Sequence, residues 1–360
     1  MSSRRSRGPL STPSAASSPT RSARSTASHA RRRAWPWPSA DVRVLIAGGT
    51  EFISLHLVRA LQRDGHRVAV VNRGRQSGRL PAGVETFVAD RTDHAALAKA
   101  LAGQRFDGLV DATYAPTTGE DVAALLDAPA AVEHAVFVST ARVYDHARPI
   151  PFDEDTPRNL YWGDYAKNKI AGEDVLLERH RAHGLPVTIV RPTHVYGPLN
   201  TRNNETFFFD RLARGRPVLV PGAGGWLRQF GHVEDLADAM AAMLGNRAAF
   251  GRAYNVTGEE SVSQVGFVEV IADVMKRPLT LVHAPTPSGG TPAPFGQNLT
   301  YDCHAVHTTA RVRTELGLRP RYTLAAGLAG TLEWYLREGL DKRAIDFGAE
   351  DALLRSLGAR

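Results

Sequence analysis

Apolar and polar positions follow two alternating rhythms along most of this chain. Val42 to Ala47 is a short run of mostly apolar residues broken by Arg43, the pattern of a buried strand. Gly48-Gly49-Thr50 follows as a tight turn. Phe52, Ile53, Leu57, Val58 and Leu61 then recur at helical spacing, and Gly65 ends the helix. Val68 to Val71 reads as the next strand, with further strands at Thr86–Val88, Gly108–Ala112, Ala135–Ser139 and Val187–Val190. Helical stretches cover 93–101 and 120–126, and a long helix runs from about Tyr165 to Arg181. Strands and helices alternating at this length predict an α/β fold, a Rossmann-type doubly wound parallel sheet with helices on both faces.

After Arg191 the alternation loosens. Gly- and Pro-rich segments at 214–225 and 284–296 separate short elements, including a helix at 233–244 and a strand near Ala253–Val256. The expected division is a cofactor-binding core over 41–190, joined by 228–256, and a smaller substrate-binding lobe from 191–227 and 257–341. Residues 342–360 form a C-terminal extension. Residues 1–40 are rich in Ser, Ala, Pro, Thr and Arg without apolar periodicity, and read as a disordered tail. Three origins suit that tail: a transit-type peptide, an extension from a misassigned start codon, or a basic arm for nucleic acid or membrane. The second is preferred. Arg4-Arg5 is not followed by an apolar stretch, which speaks against a twin-arginine export signal.

Charge changes the picture once the tail is set aside. Residues 1–40 carry eight arginines and no other charged side chain, against +7 for the whole chain, so residues 41–360 have a net charge of −1. The folded part is not basic, and no nucleic-acid partner is expected. No apolar run approaches the ~18 residues that cross a bilayer, so no membrane role is expected either. The single cysteine, Cys303, forms no intramolecular disulfide, which suits a reducing, cytoplasmic location. His304 and His307 have a spacing that can chelate on a helix, but no third ligand is near in sequence; they read as a polar helix face, with no metal.

The turn Gly48-Gly49-Thr50 stands between the first strand and the first helix. A dinucleotide pyrophosphate is received there by backbone N–H groups and the helix dipole. An acidic residue at the end of the next strand usually holds the adenosine ribose. The residue 24 positions after Gly48 is Asn72, followed by Arg73. The missing carboxylate and the added guanidinium suit a 2′-phosphate, so NADP is preferred over NAD. Asp90, after the third strand, is positioned to touch the adenine.

Tyr165 and Lys169 are four apart at the start of the long helix, hence on one face. A phenol of pKa about 10 is a poor base at neutral pH. A neighbouring ammonium and a cationic nicotinamide ring lower that value. Tyr165 can then exchange a proton with a substrate hydroxyl while hydride moves to or from the nicotinamide. Lys169 also holds the nicotinamide ribose. Thr140, just past the strand ending at Ser139, orients the reacting oxygen.

Together these residues resemble the extended short-chain dehydrogenase/reductases, the NAD-dependent epimerase/dehydratase family, over about residues 41–340. The resemblance lies in the segment from Val44 to Ser54, in Ser139-Thr140-Ala141-Arg142-Val143-Tyr144, in the 25-residue gap from Thr140 to Tyr165, in Arg191 to Pro198, and in Arg228 to Ala237. It implies a cofactor set of Gly48, Gly49, Thr50, Phe52, Ile53, Asn72, Arg73, Asp90, Tyr165, Lys169 and Pro192. It implies Thr140, Tyr165 and Lys169 as the catalytic set, and Ser139, His194 and Arg228 as substrate contacts. Arg228 is carried over as a diphosphate contact; the competing reading is an ion pair with Glu234 or Asp235. A homodimer through the long helices is usual in this family.

Departures from the family pattern narrow the function. In its G-x-x-G-x-x-G motif the second and third glycines are Glu51 and Ser54. A charged residue at the second glycine and the loop Asn72-Arg73-Gly74 resemble an atypical subgroup, the chloroplast stem-loop-binding proteins. Ala141-Arg142 stands where 4,6-dehydratases carry Asp-Glu, which favours epimerisation or simple oxidoreduction over elimination. The first expectation is an NAD(P)-dependent epimerase acting on a sugar nucleotide through a transient ketone. The second is an NADP-dependent ketoreductase or dehydrogenase, and the third a nucleotide- or RNA-binding protein without catalysis.

Overall fold

The computed structural model describes residues 42–359, apart from 115–116, 201, 203, 287–293, 297–298 and 300–301. The arginine-rich stretch 1–40 lies outside the described residues, and with it every reading of the tail. In chain order the elements of the first half are β1 (Arg43–Ala47), α1 (Phe52–Arg63), β2 (Arg67–Asn72), β3 (Glu85–Val88), α2 (His94–Leu101), β4 (Arg105–Asp111), α3 (Gly119–Asp127), β5 (Ala131–Val138), α4 (Gly163–His183) and β6 (Val187–Pro192). They are followed by β7 (His194–Tyr196), α5 (Asn204–Ala213), β8 (Val218–Pro221), β9 (Leu227–His232), α6 (Val233–Met243), β10 (Arg252–Val256), β11 (Ser261–Ser263), α7 (Gln264–Met275), β12 (Leu281–Ala284), α8 (Ala310–Leu316), α9 (Leu324–Arg337) and α10 (Gly348–Ser356).

Seven strands form one parallel sheet in the order β10-β6-β5-β4-β1-β2-β3. The order reverses between β1 and β4, so the crevice that receives ligands in open α/β sheets opens at the carboxyl ends of those strands. Alternation along β1 feeds both faces of the sheet. Val44 and Ile46 pack with Leu57, Leu61, Leu236 and Met240 on the α1–α6 side, and Leu45 and Ala47 pack with Leu97, Leu101 and Leu125 on the α2–α3 side. Gly172 lets α4 lie close on β5: a Cβ there would come within 2.5 Å of the Phe137 ring.

Two small sheets, β11-β9-β7 and β12-β8, carry the rest. Their core is aromatic, built on Phe208, Phe209, Phe230, Phe267 and Tyr335 with Leu328. Sequence pattern assigned 228–256 to the main core, but β9 pairs with β7 and β11 instead, while α6 and β10 join the large sheet layer. Conversely, Val312 and Leu316 of α8 pack into that layer although 257–341 was read as lobe. The C-terminal segment is docked: Glu350 of α10 takes a bidentate pair from Arg211 at 2.8 and 3.1 Å. No helix among the described residues is long and apolar enough to cross a membrane.

Candidate active site

A cavity of about 800 Å³ opens where the strand order reverses. Its first wall is the glycine turn. Gly48 and Gly49 have φ of +106° and +91°, angles that a side chain opposes. A Cβ on Gly49 would also come within 2.4 Å of Val70 Cγ1. Gly48, Thr50, Phe52 and Ile53 line the cavity, and Gly49 lets the turn approach β2 closely. Asn72 ties the turn to β2, donating from Nδ2 to the Gly48 carbonyl at 3.0 Å and accepting from the Gly74 N–H at 2.8 Å.

Glu51 is the N-cap residue of α1, makes no capping bond, and is exposed at the cavity wall. Phe52 follows with φ +31°, a strained angle for a bulky residue. Arg73 and Arg75, both exposed, line the wall beyond β2. Asp90 lines it after β3. Hydrogen bonds from the Thr92 N–H and hydroxyl hold its carboxyl below the usual range, with Arg73 and Arg75 adding to the effect. Bare glycine backbone at the amino end of a helix, flanked by guanidiniums and by no acid at the end of β2, fits a dinucleotide diphosphate.

The middle of the cavity holds the proton-transfer groups. Thr140 follows β5, and Tyr165 and Lys169 lie on the first turns of α4, where Lys169 is buried. The Thr140 hydroxyl lies beside the Tyr165 phenol and acts to lower its pKa. Lys169 Nζ donates to the backbone carbonyls of Val138 at 2.7 Å and Thr113 at 3.2 Å. Burial brings its pKa down to about 8, against the pull of Asp111. The phenol departs from the expected activation. Burial and the neighbouring Tyr114 raise its pKa, while the Thr140 hydroxyl, Arg142 and Arg202 act to lower it. The main cationic influences on the phenol are the arginines Arg142 and Arg202.

The far end is aromatic and cationic. His194, the first residue of β7, lies against Phe230 with centroids 5.6 Å apart. Burial, then Arg142 and Arg228, push its imidazole well below the ordinary value, so it is neutral. Arg228 is fully buried on β9, and burial lowers it to about 10 although the Cys303 thiol hydrogen-bonds it. Glu234 and Asp235 do not pair with it: Glu234 accepts from Tyr322 and Asp235 from Arg321. Ser139 lines the cavity, yet its hydroxyl sits by the buried Glu173 carboxylate and helps to hold it ionised. Pro192 lines the wall between.

The expected helix at His304 and His307 is absent; both are on an extended segment. His304 Nδ1 accepts from the Leu227 N–H at 3.0 Å, and buried His307 packs against the stacked Tyr144 and Phe152 rings. No cluster of three metal-ligating side chains occurs among the described residues. Sequence reading missed Tyr114, Arg142, Trp162 and Arg202, all of which line the cavity. Arg142 alone carried a signal, as the departure after Thr140.

A doubly wound sheet whose crevice combines a glycine turn with Thr140, Tyr165 and Lys169 defines an NAD(P)-dependent enzyme of the extended short-chain dehydrogenase/reductase type. Residues 44–257 match the profile of the NAD dependent epimerase/dehydratase family, and the chain belongs to that family. It is similar to the chloroplast stem-loop binding protein of 41 kDa b of Arabidopsis thaliana, 29% identical over 88% of this chain and 85% of that protein. It is also similar to a dTDP-glucose 4,6-dehydratase of Streptomyces niveus, 29% identical over 82% of this chain and 93% of that one. Among solved structures, an epimerase from Methanothermobacter thermautotrophicus superposes with a TM-score of 0.72 at 21% identity, over 84% of this chain and 94% of that one.

Proposed function

We propose that this protein is a cytoplasmic, homodimeric epimerase acting on a sugar nucleotide through a transient ketone. The observation that carries the reading is the Thr140 hydroxyl placed beside the Tyr165 phenol with Lys169 one turn further on α4, in a cavity with Ala141-Arg142 after the threonine and no acid there for an elimination. Bound NAD(P) would supply the hydride acceptor and return the hydride to the opposite face. Tyr165 takes the hydroxyl proton and gives it back, and Thr140 orients that oxygen. Lys169 is anchored to two backbone carbonyls, and its remaining N–H would hold the nicotinamide ribose. Neutral His194 offers a hydrogen bond to the sugar, and Arg228 the charge for a diphosphate.

The test is to incubate the purified protein with UDP- and dTDP-hexoses and follow the stereocentres by NMR. Conversion without added nicotinamide is expected, and Tyr165→Phe should slow it roughly 10²–10⁴-fold while leaving dinucleotide binding in place. Full activity in that variant would remove the mechanism. A second reading, net reduction with NADPH, draws support from Arg73 and Arg75 on the wall beyond β2. Loss of reduced-nicotinamide absorbance in step with substrate would favour it.

A further inference from the structure

The cavity beyond Tyr165 carries more positive charge than one diphosphate calls for. Arg142, Arg202 and Arg228 all line it, whereas the acidic lining residues Glu51 and Asp90 belong to the cofactor end. Arg142 enters from the short 3-10 turn Ala141–Val143, two residues past Thr140. Its guanidinium carbon lies 4.8 Å from the Trp162 ring centre and 5.7 Å from that of Tyr165. Arg202 lies over Tyr114 at 3.1 Å, and Tyr114 packs on Tyr165 with centroids 5.7 Å apart. Two guanidiniums are therefore held by aromatic rings next to the phenol.

Stacking on a ring leaves the edge of a guanidinium, with its fork of N–H donors, directed to a partner in its plane. Arg142 is half-buried and Arg202 exposed, close enough for each to feel the other's charge; two like charges brought together repel, and a shared anion relieves that cost. In a sugar nucleotide the diphosphate is joined at the anomeric carbon, and a hydroxyl that reacts at Tyr165 from across the ring keeps it away from this pair. Arg228, on β9 beside Cys303, is the residue left for it.

We propose that Arg142 and Arg202 form an oxyanion subsite at the reacting end, and that the substrate carries a carboxylate or phosphate on the ring whose hydroxyl faces Tyr165. This rests on the sugar-nucleotide reading for the nucleotide half only. The arginines act as specificity residues: they select an acidic ring over a neutral one and fix which carbon faces the phenol.

The experiment is calorimetric titration of the full chain loaded with NAD+, using two pairs of probes: UDP-glucuronate against UDP-glucose, and glucose 6-phosphate against glucose. The acidic member of at least one pair should bind about ten-fold tighter or more, the scale of a charge-assisted contact. Arg142→Gln should erase that preference, lowering the affinity for the acidic probe far more than that for its neutral partner. Arg142→Lys, which keeps the charge and loses the fork, should retain part of it. Melting curves establish that the variants fold, and Arg202→Gln gives the same reading should Arg142→Gln not fold.

Equal affinities for acidic and neutral probes, a preference that survives in both glutamine variants, or binding of none of the four probes would each overturn the subsite. Tight, equal binding of both UDP-sugars would do so while sparing the sugar-nucleotide reading. Arg142-dependent binding of glucose 6-phosphate, with neither UDP-sugar bound, would keep the subsite and remove the nucleotide.

Discussion

Lys169 Nζ donates to the Val138 carbonyl at 2.7 Å, joining the first turns of α4 to the end of β5. The bond fixes the ammonium at the end of β5 and spends part of its donor capacity on the scaffold. Burial lowers its pKa from the ordinary lysine value to about 8. The unfolded chain then binds the extra proton between about pH 8 and the free lysine value near 10.4. This group's burial penalty is complete below the folded value and fades as pH rises through that window. Compared with Lys169→Met, the wild type should gain relative stability from pH 8 to 10 in urea melts. A difference that stays flat with pH would contradict the lowered pKa of Lys169.

Glu51 occupies the wall where the family motif has its second glycine, in contact with the cavity but exposed to water. A carboxylate near a diphosphate in high dielectric costs on the order of 1 kcal/mol. Glu51→Gln should therefore tighten NAD(P) binding by roughly five-fold at low salt, and by less as salt rises. Fluorescence titration with the reduced dinucleotide measures it. Weaker binding in the variant would mean that the carboxylate holds the ligand instead of repelling it.

Most of what positions this site was legible in the sequence, because parallel strands buried on both faces leave continuous apolar runs. The turn at Gly48-Gly49 and the pair Tyr165 and Lys169 follow from local spacing. The source of charge at the phenol was not legible. Arg142 and Arg202 reach Tyr165 through tertiary packing from a 3-10 turn and from the segment before α5, and neither lies at a helical spacing from it. His307 illustrates the same limit: two histidines three apart suggest a helix, while bridges from Phe152 to His307 and from Arg228 to Ala305 pull the segment into extended form.

Arg73 and Arg75 face the wall beyond β2, and Asn72 is already committed to the glycine turn. Discrimination for a 2′-phosphate then rests on the two guanidiniums. Hydrogen bonds to charged groups contribute roughly 1.5–3 kcal/mol, so replacing both by alanine should cost about ten- to a hundred-fold in NADP affinity. NAD affinity should stay the same. Parallel titration of the two cofactors decides it; equal losses for both would assign the arginines to the diphosphate.

Tyr165, Lys169 and Glu173 are spaced four apart along one face of α4, and the last is the buried anchor of the other two. Glu173 accepts a bidentate pair from Arg191 of β6 at 2.8 and 2.7 Å and a further bond from Arg158 at 3.0 Å. Arg191 in turn donates to Tyr144 and to the Glu154 carbonyl. The Arg191 guanidinium holds the Glu173 carboxyl below the usual range despite complete burial. Removing one partner of such a pair strands the other charge, so Glu173→Gln should destabilise the protein by roughly 3–5 kcal/mol. Because the folded pKa lies under the unfolded one, this contribution is complete above the ordinary carboxylate range. It is lost as pH falls through the lowered folded value. The wild type should therefore lose its advantage over Glu173→Gln progressively in acid, as chemical melts at descending pH would record. A penalty independent of pH would show that Glu173 holds α4 by packing and not by its charge.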